Sequence, residues 1–145
     1  MHLERIHHVG IVVADLDAAI AQYGGAIGAQ PVVREVLDDQ HVEAAALAIG
    51  DSWVELIQPT DTTSGVARFL ERRGPGLHHV AYAVADLATT LDTLAAEGVE
   101  LIDRTPRIGL GGHLVAFLHP RSLGGVLTEL VEDHKENEHD GNATH

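Results

Sequence analysis

The 145-residue chain contains no cysteine and only nine lysine and arginine residues, against 22 aspartate and glutamate residues. Without cysteine it can form no disulfide framework, no thiolate nucleophile and no cysteine-ligated zinc or iron–sulfur site. The formal charge of −13, with histidine neutral, excludes electrostatic binding to nucleic acid or anionic lipid, because such binding needs clustered lysine and arginine. Any metal site must therefore be built from histidine, aspartate and glutamate.

Long apolar segments are also missing. No run approaches the ~18 apolar residues that a membrane-spanning helix requires. Residues 1–6 contain no apolar signal core, which predicts a cytoplasmic protein. Hydrophobic residues make up 45% of the chain and charged residues 21%, as in ordinary soluble globular proteins. Histidine, with 11 residues, is the abundant potential metal ligand besides the acids.

Two parts of the chain repeat each other. Segment 6–17 aligns with segment 77–88, and seven positions are identical, including His-His-Val and Val-Ala-Asp-Leu. Further on, Trp-Val-Glu-Leu-Ile at 53–57 resembles Leu-Thr-Glu-Leu-Val at 127–131. The repeat predicts one domain, 1–131, made of modules 1–60 and 75–131 with a linker helix within 61–74. The polar, acidic segment 132–145 is predicted to be a disordered tail.

Each module shows the pattern of a strand, a helix and three further strands. Valine-rich runs at 6–13 and 77–84 lead to Asp15 and Asp86, which are typical helix N-caps, and Gly28 and Gly98 are expected to end the helices. The further strands are predicted at 31–37, 42–49, 52–58, 100–103, 113–119 and 126–131. The prediction is an α+β fold of two tandem βαβββ modules with eight strands.

Four polar residues lie inside these predicted strands, where glutamate in particular is uncommon. His8 and His79 occupy the first strand of each module, and Glu55 and Glu129 occupy the last. A desolvated carboxylate costs several kcal/mol unless it is paired or bound to a metal, so a divalent cation would resolve the burial of both glutamates. Two imidazoles and two carboxylates suit Co, Ni, Mn, Zn or Mg, with water in the remaining positions.

A single strand histidine is more often a hydrogen-bonded core residue, and a strand glutamate often faces solvent. The duplication of both residue types at matching places is what favours a shared site. Because side chains alternate along a strand, His7 and His78 are predicted to face the opposite way, toward a helix or solvent, in structural roles. His113 lies near a strand end, from which it could reach a ligand.

With these residues the chain resembles the vicinal oxygen chelate superfamily and, within it, the family of methylmalonyl-CoA epimerases. The more specific motifs are Pro-Arg-Ile-Gly-Leu-Gly-Gly at 106–112, Phe-Leu-His-Pro at 117–120 and Gly-Val-Leu-Thr-Glu-Leu at 125–130. The resemblance implies a half-open eight-stranded barrel around one divalent ion, with cobalt the first expectation, and a homodimer. It further implies that His8, His79 and Glu129 are metal ligands. Glu55 takes a fourth ligand position, which holds Gln or Glu in the family.

The implied reaction interconverts (R)- and (S)-methylmalonyl-CoA. The proton at C2 is removed and returned to the other face through a metal-stabilised enolate. Inversion needs a base on each face, and Glu55 and Glu129, from opposite modules, are the expected catalytic pair. Some bacterial epimerases carry a catalytic glutamate at the position of Ala44, and the neighbouring Glu43 should point to the opposite face.

An acyl-CoA substrate carries several negative charges, which local arginines must offset in so acidic a chain. The candidates in the linker helix and before the glycine-rich segment are Arg68, Arg72, Arg73, Arg104 and Arg107. The glycines allow close approach of the backbone to a ligand. The predicted substrate-binding residues are therefore Arg107, for its charge, the glycines Gly111 and Gly112, and the neighbouring His113.

Three alternatives remain open. A glyoxalase I-like lactoylglutathione lyase has a similar His, Glu, His, Glu ligand set and moves a proton on a glutathione hemithioacetal. A ring-cleaving dioxygenase would use His8, His79 and Glu129 as an iron triad, although Glu55 would crowd the positions that oxygen needs. A metal-free, drug-sequestering binding protein of the same fold would not keep all four ligands.

Overall fold

A computed structural model of the chain describes residues 1–133, which form eight strands and three α-helices. The first part of the chain contains β1 (Arg5–Val12), α1 (Leu16–Ile27), β2 (Pro31–Leu37), β3 (Val42–Ile49) and β4 (Ser52–Pro59). After α2 (Gly65–Arg73), the second part contains β5 (Gly76–Val84), α3 (Leu87–Ala96), β6 (Arg107–Ile108), β7 (Leu114–Leu118) and β8 (Thr128–Glu132). No helix in residues 1–133 is long and apolar enough to cross a membrane.

The eight strands form one mixed sheet in the order β2-β3-β4-β1-β5-β8-β7-β6. Strands β1 and β5 pair antiparallel at its centre, and each pairs in parallel with the last strand of its own module, β4 or β8. The sheet curls into a half-barrel, and the segment before β7 reaches the edge strand β2, where the backbone N–H of Gly111 donates to Glu35 over 2.6 Å. The predicted α+β fold with paired βαβββ modules is therefore confirmed.

The outer face of the sheet is covered by α1 and α3, and their positions follow from the sequence. Asp15 and Asp86 cap these helices as predicted, each accepting a hydrogen bond from a backbone N–H three residues further on. On the outer face Ala45 and Leu56 pack with α1, whereas their neighbour Ala44 belongs to a separate cluster on the inner face. Because α1 and α3 cover only the outer face, the concave face remains available for a site.

One predicted strand was wrong. Residues 100–103 form only a single bridge, between Leu101 and Leu118, and the sixth strand is Arg107–Ile108 instead. The backbone N–H of Phe117 donates a hydrogen bond to the side chain of Asp103. In a continuous strand, this N–H would donate to a backbone carbonyl instead. Helix α3 ends as predicted: after its C-cap residue, Glu97, Gly98 adopts a φ of 84°, the left-handed conformation that commonly terminates a helix.

The start of the predicted tail was also wrong. Glu132 is the last residue of β8, and the carboxylate of Asp133 accepts a hydrogen bond from Arg5 over 2.6 Å. Strand pairing and this ion pair hold both residues against the sheet. The rest of the predicted tail, 134–145, lies outside the described residues.

Candidate metal centre

Three side chains converge on the concave face where the two modules meet. Nε2 of His8 lies 2.8 Å from Oε1 of Glu129, and Nε2 of His79 lies 3.3 Å from the same oxygen. The two Nε2 atoms are 3.1 Å apart. All three residues are buried, with 2 to 6% of their surface exposed. The structure therefore brings together two ligand histidines and one glutamate from three different strands.

Strand register explains this convergence. On the antiparallel pair β1–β5, His8 lies opposite Ala81 and His79 lies opposite Gly10. Ala81 in turn neighbours Glu129 on the parallel pair β5–β8. The residues opposite both histidines are thus small, which leaves room for two imidazole rings between neighbouring strands.

The arrangement fits a divalent cation. An ion that bonds to nitrogen and oxygen at about 2.1 Å holds adjacent ligand atoms about 3.0 Å apart in an octahedral shell. The three measured separations bracket that distance. In addition, the buried Oε1 of Glu129 receives no hydrogen bond of good geometry in spite of its short contacts. The three ligand atoms are therefore close enough together to bind one ion.

The charges at the site are also those of a metal centre. Burial alone would raise the pKa of Glu129, but contacts with His79 and His8 lower it to about 2, so the carboxylate is ionised. Burial alone would lower the pKa of His8, but the contact with Glu129 and the charge of Glu55 raise it. Without an ion, the two carboxyl groups therefore favour the protonated form of His8.

Glu55 lies beside this group but is not part of it. Its Oε1 atom is 3.9 Å from Nε2 of His8, on β4, which pairs with β1 in parallel. Burial raises the pKa of the Glu55 carboxyl and outweighs the opposing effect of His8. The structure thus contains two neighbouring carboxyl groups, Glu55 and Glu129, whose pKa values shift in opposite directions.

The prediction that His7 and His78 face away from the site was wrong. Nδ1 of His7 lies 2.8 Å from Nδ1 of His8, and Nδ1 of His78 lies 2.9 Å from Nδ1 of His79. Burial is the main cause that lowers the pKa of His7 and of His78 to about 4, and each ligand histidine adds to the effect. Both residues are therefore neutral neighbours of the site. The repeated His-His pair is the pattern in the sequence that could have indicated them.

A cavity of about 640 Å³ opens from the site. Glu55, His79 and Glu129 line it together with Phe69 and Phe117. The arginines along it are Arg68, Arg72, Arg73 and Arg107. Among residues 1–133, no carboxylate pairs with Arg72 or Arg73, and Arg73 lies over the ring of Phe69.

The remaining predicted residues lie elsewhere. His113 packs edge-on against His7 and Trp53 in a second, smaller cavity. Gly111 and Gly112 form the turn before β7, both with positive φ, and the Gly111 N–H binds Glu35. Arg104 makes an exposed ion pair with Asp92. On β3, Glu43 binds Arg34 on the outer side, as predicted, while Ala44 is buried in the inner cluster.

Comparison with known proteins gives the family. Residues 7–117 match the model of the glyoxalase/bleomycin resistance protein/dioxygenase superfamily. An uncharacterized protein from Bacillus subtilis, YqjC, is 38% identical over 140 residues, covering 95% of this chain and 100% of that protein. An ethylmalonyl-CoA/methylmalonyl-CoA epimerase from Cereibacter sphaeroides is 36% identical over 130 residues, covering 88% and 97%.

Solved structures agree with this assignment. Methylmalonyl-CoA epimerase from Mycobacterium tuberculosis matches with a TM-score of 0.88 and 39% identity, covering 94% of this chain and 92% of that chain. A methylmalonyl-CoA epimerase in complex with methylmalonyl-CoA and NH4+ matches with a TM-score of 0.88 and 37% identity, covering 92% and 96%. The chain therefore belongs to the glyoxalase/bleomycin resistance protein/dioxygenase superfamily and, within it, to the family of the methylmalonyl-CoA epimerases, which are isomerases.

Proposed function

We propose that this protein is a metal-dependent epimerase that interconverts (R)- and (S)-methylmalonyl-CoA by proton exchange at C2. The observation that carries the proposal is the placement of Glu55 and Glu129. These two carboxyl groups come from opposite modules and flank the histidines at the end of a cavity of about 640 Å³. A relative of known structure binds methylmalonyl-CoA, which supports the choice of substrate.

His8, His79 and Glu129 would hold the metal ion. Glu55 would be a fourth ligand that dissociates from the ion when it transfers a proton. The bound ion supplies positive charge that stabilises an enolate oxygen. We propose cobalt as the ion from the family resemblance, with Mn, Ni, Zn or Mg as alternatives. The homodimer belongs to the same proposal and rests on the same resemblance, whereas the cytoplasmic location remains a prediction from the sequence.

The two glutamates divide the proton transfers between them. Two carboxyl groups whose environments push their pKa values apart are suited to opposite roles, one as acid and the other as base. The raised pKa of Glu55 favours a proton-carrying form, and the low pKa of Glu129 favours the ionised form. Strand β3 places no carboxylate in the site, because Ala44 and Ala46 face the interior while Glu43 points outward and binds Arg34. Glu55 is therefore the acid–base group that we assign to the first module.

The arginines of α2 would bind the phosphates of CoA. Arg68, Arg72 and Arg73 border the cavity on one helix, and Arg107 borders it from the second module. Guanidinium groups bind phosphate oxygens in pairs of hydrogen bonds. At the cavity, these positive charges would counteract the repulsion between the acidic chain and the anionic substrate.

The test is to incubate a single epimer of methylmalonyl-CoA in D₂O with the cobalt-loaded protein, with and without a chelator. We expect deuterium to enter at C2 with inversion, and both to stop when the chelator removes the metal. The variant His8→Ala should behave like the chelated protein, whereas His2→Ala, which changes an exposed histidine, should not. Absence of exchange with the metal-loaded protein would reject the proposal.

The second candidate is the glyoxalase I-like lyase. It is favoured by one observation, the presence of glutamate rather than glutamine beside the triad at position 55. Its substrate would be the hemithioacetal of methylglyoxal and glutathione. Turnover of that compound, without exchange on methylmalonyl-CoA, would replace the first proposal with this one.

A further inference from the structure

We infer that His7 and His78 are positioning residues of the metal centre. Each accepts, at Nδ1, a hydrogen bond from the Nδ1–H of the ligand histidine that follows it. This bond fixes the tautomer and the ring orientation of His8 and His79, so that the bare Nε2 atoms face the ion. The inference rests on the metal site and not on the epimerase reaction.

Metal binding through Nε2 requires this hydrogen-bond direction. The Nδ1 atoms within each pair are 2.8 and 2.9 Å apart, so one hydrogen lies between them. A neutral imidazole carries a single N–H. A histidine that binds a metal through Nε2 must carry that hydrogen on Nδ1. His8 and His79 are therefore the donors, and His7 and His78 are the acceptors.

A matching bulge in each central strand creates both pairs. In the pairing of β1 with β5, Ile6 lies opposite Tyr82 and the next partnered residue is His8, opposite Ala81. His7 is thus the extra residue of an irregular step. A second irregular step on β5, between the partners of Gly10 and Ile11, leaves His78 unpartnered in the same way. A bulge turns two consecutive side chains toward one side of the sheet.

The two acceptors have different surroundings. Nε2 of His7 lies 3.8 Å from the carboxylate of Asp133, which is held by Arg5. This negative charge favours a hydrogen on Nε2 of His7 and therefore a bare Nδ1. His78 instead packs edge-on against Phe69 and borders the large cavity. We expect His7 to be the more rigid acceptor, so its loss should weaken metal binding more than the loss of His78.

The test compares leucine and asparagine at both positions. His7→Leu and His78→Leu remove the acceptor, whereas His7→Asn and His78→Asn place an amide oxygen close to where Nδ1 was. Isothermal titration with Co²⁺ should show a Kd about 10- to 100-fold higher for the leucine variants and recovery of most of the loss with asparagine. His2→Leu is the control for histidine content. Wild-type affinity in folded leucine variants, or asparagine no better than leucine, would overturn the inference.

A second measurement uses the wild-type protein, so it can be made even if a variant does not fold. Nitrogen-15 NMR of the Zn²⁺-loaded protein should show a hydrogen on Nδ1 of His8 and His79 and none on Nδ1 of His7 and His78. The reverse arrangement in either pair would overturn the inference. Neither experiment measures turnover, so their failure is distinct from failure of the proposed epimerase activity.

Discussion

The imidazole ring of His79 lies directly over Gly10, in the space that a β-carbon at residue 10 would occupy. The two residues face each other on the central pair of strands, β1 and β5. Gly10 does not have a positive φ, so its role is to allow this close approach and not to adopt an unusual backbone conformation. The corresponding residue opposite His8 is Ala81, which has a β-carbon. The two halves of the site are therefore not equivalent.

Gly10→Ala should damage the metal centre. The new methyl group would overlap a ring that is already held on its other edges by His78 and Glu129, so the ring has to move. We expect the Kd for Co²⁺ to rise by at least about tenfold, as measured by isothermal titration. Overpacking should also lower the free energy of unfolding, by about 1–3 kcal/mol.

The matched control is Ala81→Gly, at the position opposite His8. This change removes a β-carbon, so it creates no overlap. It should cost about 1 kcal/mol of stability, because glycine is unfavourable within a strand, but leave the affinity for Co²⁺ near that of the wild type. Equal loss of metal affinity in both variants would show that Gly10 has no special steric role.

Glu55→Gln separates acid–base chemistry from metal binding. Glutamine keeps the size of the side chain and an oxygen near His8 but cannot carry the proton. We expect unchanged affinity for the metal and a decrease in kcat of at least ~10²-fold. Glu43→Gln, on the outer face where Glu43 binds Arg34, should retain activity. Full activity of Glu55→Gln would remove Glu55 from the mechanism.

The double variant Arg72→Ala, Arg73→Ala tests the phosphate site. Loss of two cavity-lining cations should raise KM for the acyl-CoA about three- to tenfold, with little change in kcat, because solvent-accessible pairs each contribute modestly. The increase should shrink at high salt, which screens the same interaction. Arg104→Ala, whose arginine pairs with Asp92 away from the cavity, is the control. An unchanged KM in the double variant would place the CoA phosphates elsewhere.

The sequence allowed the fold and three members of the site to be predicted because both depend on local periodicity. Alternation along a strand puts His8 and Glu129 on inward faces, and the repeat relates His8 to His79. The repeat alone could not show which of the four polar residues meet, because that depends on strand register. In the structure Glu55 stays 3.9 Å from His8, outside the tight group.

The roles of His7 and His78 could not be predicted for a different reason. The alternation rule assigns them to the outer face, and only a bulge reverses that assignment. A bulge arises from the pairing of β1 with β5, two strands from different modules. No pattern within either strand encodes this pairing, so the sequence offered only the repeated dipeptide His-His.

The last prediction concerns the pH dependence of stability in the metal-free protein. The pKa values of His7 and His78 are about 4 in the fold, against 6.5 in an unfolded chain. Between these values the unfolded state binds protons that the folded state does not, so the free energy of unfolding falls as the pH is lowered from 6.5 to 4. Glu55, with a pKa raised above 4.5, acts in the opposite direction within this interval, whereas His8, with a pKa raised above 6.5, does so only above pH 6.5.

Urea unfolding at several pH values between 4 and 7.5 would measure this dependence, with a chelator present because metal binding adds a pH dependence of its own. The double variant His7→Asn, His78→Asn has lost both titrating groups. Between pH 6.5 and 4.5 its free energy of unfolding should fall less than that of the wild type, or rise through the remaining effect of Glu55. Below pH 4.5 both proteins should still lose stability, because Glu129 takes up a proton in the unfolded chain but stays ionised in the fold, where its pKa is about 2. Identical pH dependence between 6.5 and 4.5 would mean that His7 and His78 do not titrate as their surroundings indicate.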